Sequence, residues 1–84
     1  MDTAVRVVLL SRAGCHLCDE ARAVVGRVCA DLGVDWREDD LLGEDVPADL
    51  RLRHADDIPV TFVDGVVHDF WRVDEERLRA ALAR

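Results

Sequence analysis

Val5-Arg6-Val7-Val8-Leu9-Leu10-Ser11-Arg12-Ala13-Gly14-Cys15-His16-Leu17-Cys18 is the stretch on which the reading of this chain turns. Val5 to Leu10 is short, continuous and apolar apart from Arg6, and reads as a buried strand. Ser11 to Gly14 reads as a turn, with Gly14 supplying backbone freedom just before the first cysteine. From His16 to about Leu32 the period changes. Leu17, Ala21, Val24, Val25, Val28 and Leu32 recur at spacings of three and four, with Cys29 beside them, which predicts an amphipathic helix. Asp19 and Glu20 in its first turn and Arg27 near its last suit the helix dipole, and Gly33 is placed to end it. Cys15 and Cys18 therefore stand at a strand-to-helix junction, one turn apart.

Further along, Val34 to Glu38 alternates and reads as a second strand. Asp39 to Glu44 reads as an acidic loop. Pro47 can open a short helix through about Arg53, with Val46, Leu50 and Leu52 available for packing, and Asp56-Asp57 breaks it. Pro59 to Val63 reads as a third strand, Asp64-Gly65 as a tight hairpin turn and Val66 to Phe70 as the returning fourth strand. Asp74 is a good N-cap for a last helix whose apolar side carries Val73, Leu78, Ala81 and Leu82. The order β-α-β-α-β-β-α predicts an α/β fold: a four-stranded mixed sheet flanked by three helices, in one domain spanning residues 1–84.

Composition narrows the function. Half of the 84 residues are apolar and 35% are charged, which fits a folded domain rather than a disordered one. The formal net charge is -7 and no lysine is present, so a nucleic-acid partner is not expected. Val5 to Leu10 is far shorter than the ~20 apolar residues a bilayer span needs, and no signal-peptide pattern is visible. The expectation is a cytoplasmic protein with no membrane partner. In a reducing compartment a close cysteine pair points to catalysis or metal rather than to a structural staple.

The position of the pair favours catalysis. At a helix start, unpaired backbone N–H groups and the dipole favour a thiolate at Cys15, and thiolate is the nucleophile. Cys18, one turn on, can attack a mixed disulfide formed at Cys15. Zinc and iron–sulfur sites usually take four ligands, and no second CxxC exists. His16 is adjacent, whereas His54 and His68 are distant in sequence. A cluster bridged between two subunits stays open as an alternative. His16 is a candidate for tuning the redox potential, and Arg12 for stabilising the thiolate or meeting a substrate carboxylate. Cys29 reads as a buried, inert thiol and Trp36 as packing. Trp71, between Phe70 and Arg72, is a candidate for partial exposure near a binding surface.

In combination, Arg12-Ala13-Gly14-Cys15-His16-Leu17-Cys18-Asp19-Glu20-Ala21, Asp57-Ile58-Pro59-Val60 and Val63-Asp64-Gly65 resemble the thioredoxin-fold superfamily, and within it the short bacterial glutaredoxin-like proteins. The resemblance covers roughly residues 4–83. It implies a thioredoxin-like fold in which Pro59 is cis and packs against the thiols, while Ile58 offers its backbone to a bound thiol peptide. It also matches Arg12 and Asp74 to basic and acidic positions of a glutathione site. Two departures stand out. His16-Leu17 replaces the Pro-Tyr of a typical glutaredoxin, and Asp69-Phe70-Trp71-Arg72-Val73-Asp74 lacks the Gly-Gly that precedes the acidic position. The implied activity is thiol-disulfide exchange on a protein disulfide or a glutathione mixed disulfide. The expected protein is a monomer with glutathione as a reductant, no tightly bound cofactor and no metal. A thioredoxin-fold adaptor with idle cysteines and an iron–sulfur or metal carrier are the competing readings.

Overall fold

The computed structural model describes residues 5–44 and 46–83. Its central strand is β1 (Val5–Ser11), which pairs in parallel with β2 (Asp35–Asp40) and antiparallel with β3 (Val60–Val63). β4 (Val66–Phe70) returns antiparallel to β3, giving the order β2-β1-β3-β4. Three helices complete it: α1 (His16–Leu32), α2 (Ala48–His54) and α3 (Glu75–Leu82). The four-stranded mixed sheet, the three helices and their order along the chain are those expected from the sequence.

β1 is apolar from Val7 to Leu10 because that stretch lies in the middle of the sheet, with Val7, Leu9 and Leu10 buried. Val7 joins Val25, Val28 and Cys29 of α1, Val63, and Leu78 and Leu82 of α3 in one core. Leu10 joins Val60, Ile58, Leu41, Val46 and Cys18 in a second core toward the end of β1. The half-buried Trp36 packs against the first core, and its ring lies 3.7 Å from where a Cβ on Gly26 would stand. A methyl group at Gly26 would therefore meet the indole in ordinary van der Waals contact.

Two boundaries differ from expectation for the same reason. Ser11 belongs to β1 rather than to the turn, and Asp39 and Asp40 belong to β2 rather than to an acidic loop. The parallel register continues through Leu10↔Asp39 and Ser11↔Asp40. Backbone pairing to a buried central strand overrides the weak strand preference of aspartate. α2 starts one residue after Pro47 and runs to His54, and Leu52 is 83% exposed rather than packed. Arg27 is not in the last turn of α1; it reaches Glu75 of α3 at 2.8 Å instead. Leu32, expected on the apolar stripe, is exposed.

The end of the sheet remote from the cysteines is tied by Arg6. Its guanidinium grips both carboxylate oxygens of Asp64 in the hairpin, at 3.0 and 2.9 Å, and donates to the carbonyl of Leu82 at 3.1 Å. Among the described residues, no helix is long and apolar enough to cross a membrane.

Candidate active site

The turn between β1 and α1 presents the thiols. Gly14 has φ +72°, a left-handed conformation that glycine adopts without steric cost. Cys15 follows in an extended conformation as the N-cap of α1, and its sulfur accepts the N–H of Cys18 at 3.2 Å. One of the helix's otherwise unpaired N-terminal donors is thus satisfied by that sulfur. The Cys15 carbonyl accepts the Asp19 N–H and starts the helical ladder.

The two sulfurs have unlike surroundings. Cys15 is half-buried, Cys18 is fully buried, and both are free thiols. Burial, and secondarily the hydrogen bond with Cys15, pushes the Cys18 thiol up to about 11, while the Arg12 backbone and guanidinium pull it the other way. Cys18 is therefore a protonated thiol at neutral pH, and Cys15 is the more accessible sulfur of the pair. The Cys29 thiol, buried in the other core, is pushed up by burial as well, as suits an inert packing residue.

Of the residues singled out in the sequence, the structure gathers most. The Ile58-Pro59 bond is cis, Pro59 is buried, and Ile58 packs with Cys18 in the core that Cys15 also touches. Arg12 lies in the thiol turn and acts on Cys18. His16 is exposed at the first residue of α1, and no hydrogen bond among the described residues joins it to either sulfur. Asp74 caps α3, its carboxylate accepting the Arg77 N–H at 3.1 Å, so one of its oxygens is already engaged.

Three features went unread in the sequence. Arg22 holds Glu38 through two hydrogen bonds, of 2.7 and 2.6 Å, and also reaches Asp19, while Ser11 donates to the same Glu38. Arg22, with help from Ser11 and against partial burial, holds the Glu38 carboxyl below its usual range. This network clamps the ends of β1 and β2 to the first turns of α1, beneath the thiol loop. His54 is buried, edge-on to Phe62 with ring centres 5.9 Å apart and 6.3 Å from Phe70, and its Nδ1 lies 3.4 Å from Asp57. Trp71 bonds twice to the segment that carries Pro59: its backbone N–H to the Pro59 carbonyl at 2.7 Å, its indole N–H to the Asp56 carbonyl at 3.3 Å. The only advance signal for the last was the bulk of Phe70-Trp71 where glycines are usual.

A groove of about 520 Å³ lies between α2 and the sheet, floored by Val8, Phe62 and Val67, and neither Cys15 nor Cys18 lines it. Its volume gives it no claim on the thiol chemistry. Among the described residues no group of three or more His, Cys, Asp or Glu side chains is arranged to hold a metal ion.

Comparison with known proteins places these features in a family. Residues 6–83 match the glutaredoxin-like domain (DUF836). Uncharacterised proteins of Mycobacterium tuberculosis (strain H37Rv) and Mycobacterium bovis are each 39% identical over 84 residues, covering 94% of this chain and 84% of theirs. A protein of X. campestris superposes with a TM-score of 0.69 at 26% identity, over 92% of this chain and 95% of that one. A glutaredoxin of Archaeoglobus fulgidus superposes with a TM-score of 0.62 at 15% identity, over 99% and 91% of the two chains, which bears on the fold. With the N-capping dithiol, the cis Ile58-Pro59 and a match across nearly every described residue, the chain belongs to the glutaredoxin-like domain family and has the thioredoxin fold.

Proposed function

We propose that the protein is a thiol-disulfide oxidoreductase that reduces disulfides through Cys15 and Cys18. The observation that carries this reading is the inequality of the two sulfurs: a half-buried N-cap sulfur that accepts the Cys18 N–H, backed by a buried thiol raised to about 11. Family membership supports a redox-type role. In the proposed reaction Cys15, as thiolate, attacks one sulfur of a substrate disulfide. The Cys15–substrate S–S bond forms, the substrate S–S bond breaks, and the other substrate sulfur leaves as a thiolate. Cys18 then gives up its proton and attacks the Cys15 sulfur, releasing the second substrate thiol. The substrate gains two electrons and two protons, and the protein is left with a Cys15–Cys18 disulfide. An external dithiol protein, or two equivalents of a monothiol such as glutathione, returns it to the dithiol form. Arg12 keeps positive charge beside the pair during exchange.

A reducing compartment such as the cytoplasm suits that cycle. The test is reduction of a small aromatic disulfide by wild type, Cys15→Ser and Cys18→Ser. Wild type should turn over, Cys15→Ser should be inert, and Cys18→Ser should stop as a covalent adduct visible by mass spectrometry. Equal rates for wild type and Cys15→Ser would remove the proposal. Running the cycle with glutathione, and separately with a dithiol protein and its reductase, identifies the reductant.

A further inference from the structure

Immediately after β4 the chain does something its residue type resists. Trp71 has φ +59°, the left-handed region in which a bulky aromatic residue is a genuine outlier. Strain of this kind persists only where the surroundings hold it, and it concentrates at functional sites. Here the hold is explicit. The Trp71 backbone and indole N–H groups both donate into the 56–59 segment. The next residue, Arg72, reaches α1, its guanidinium 2.9 Å from Glu20, two residues beyond Cys18. Two consecutive residues thus bridge the cis-proline segment and the thiol helix. Yet the indole is not consumed by packing: Trp71 remains 52% exposed, with the half-exposed Phe70 ring 6.3 Å away.

Resting on the exchange reaction proposed above, we propose that Trp71 determines substrate specificity. It selects disulfides whose reacting cysteine is flanked by an apolar or aromatic side chain, over small hydrophilic thiols. An exposed indole gains from covering apolar surface, and tryptophan is prominent among residues that dominate interfaces. A hydrophilic tripeptide offers it little to cover. Asp56 and Asp57, in the segment Trp71 bonds to, add negative charge in a chain of net charge -7, which disfavours acidic ligands. Selectivity then comes from attraction of one class and repulsion of the other.

The test isolates the first attack. In a Cys18→Ser background, thionitrobenzoate mixed disulfides are offered on three carriers: a peptide with leucine beside its cysteine, the same peptide with serine there, and glutathione. Cys15 forms a disulfide with the carrier, and thionitrobenzoate leaves as a coloured thiolate, so no other reductant is needed. The leucine peptide should react at least about tenfold faster than the other two, the discrimination one added apolar contact supplies. Trp71→Gly, whose backbone suits φ +59°, should bring that ratio close to one, and Trp71→Phe should restore much of it. With Trp36→Phe leaving Trp71 as the sole tryptophan, capture of the leucine peptide should shift its emission and capture of the serine peptide should not. A ratio that Trp71→Gly leaves unaltered, or an emission equally indifferent to both peptides, overturns the assignment of Trp71 while the exchange reaction stands. No thionitrobenzoate release from any carrier overturns both.

Discussion

Raising the pH should destabilise this protein through Cys18. The chain has no lysine and no tyrosine, so between about pH 9 and 11 the cysteines are the side chains that change charge. Cys18 ionises near 9 in a solvated chain and near 11 in the fold, because ionising it means placing charge in the core beside Cys15. The folded value lies above the unfolded one. The contribution is therefore fully present below pH 9 and is lost as pH rises toward 11, where the unfolded chain gains by releasing a proton the fold retains. Two pH units at 1.36 kcal/mol each amount to about 3 kcal/mol, a large share of the 5–15 kcal/mol typical of a whole domain. Cys29, also raised by burial, adds to the fall in the same direction. The assay is equilibrium urea unfolding under a phosphine reductant at intervals from pH 7.5 to 11. With a slope near ~1 kcal/mol/M the wild-type midpoint should drop by ~2–3 M across that range. Cys18→Ala should keep only the smaller part that Cys29 supplies, and Cys29→Ala should keep the larger. A Cys18→Ala curve that falls as steeply as wild type between pH 9 and 11 would refute the reasoning.

Leu78→Ala empties a fully buried position between α1 and α3 and should cost about 2–5 kcal/mol, read as a lowered urea midpoint. Asp74→Ala removes the side-chain cap of α3 and should cost ~1 kcal/mol, with Asp74→Asn retaining most of the stability. At the acid end, Arg27 and secondarily Arg79 hold the Glu75 carboxyl down to about 2. Its contribution is present above its ordinary value of 4.5 and lost as pH falls toward 2, so the acid limb of Tm against pH should flatten in Glu75→Gln.

Local rules made most of the fold legible. The change of period at His16, the Asp64-Gly65 turn and the Asp74 cap fixed three element boundaries without any tertiary knowledge, because each is decided by a few adjacent residues. What escaped depends on register. Asp39 and Asp40 look like loop residues until β1 supplies the backbone partner opposite them. The Glu38–Arg22 clamp is likewise invisible, since it joins residues 16 apart that only the β1–β2 pairing brings together. At the site, the two cysteines and Ile58-Pro59 could be found because their chemistry or backbone is specific to type. The strap formed by Trp71 could not, because nothing in the string Phe70-Trp71-Arg72 announces a left-handed tryptophan.

Arg6 has a practical consequence. It fastens the hairpin and the last turn of α3 to the start of β1, whereas the thiol loop leaves from the other end of that strand. Seven residues of strand place about 20 Å between the two ends. A tether attached through Ala83 would therefore hold the protein by its inert pole and leave Cys15 facing outward. That polarity suits immobilised use of the exchange reaction proposed above, with the sheet serving as a rigid spacer between handle and reagent.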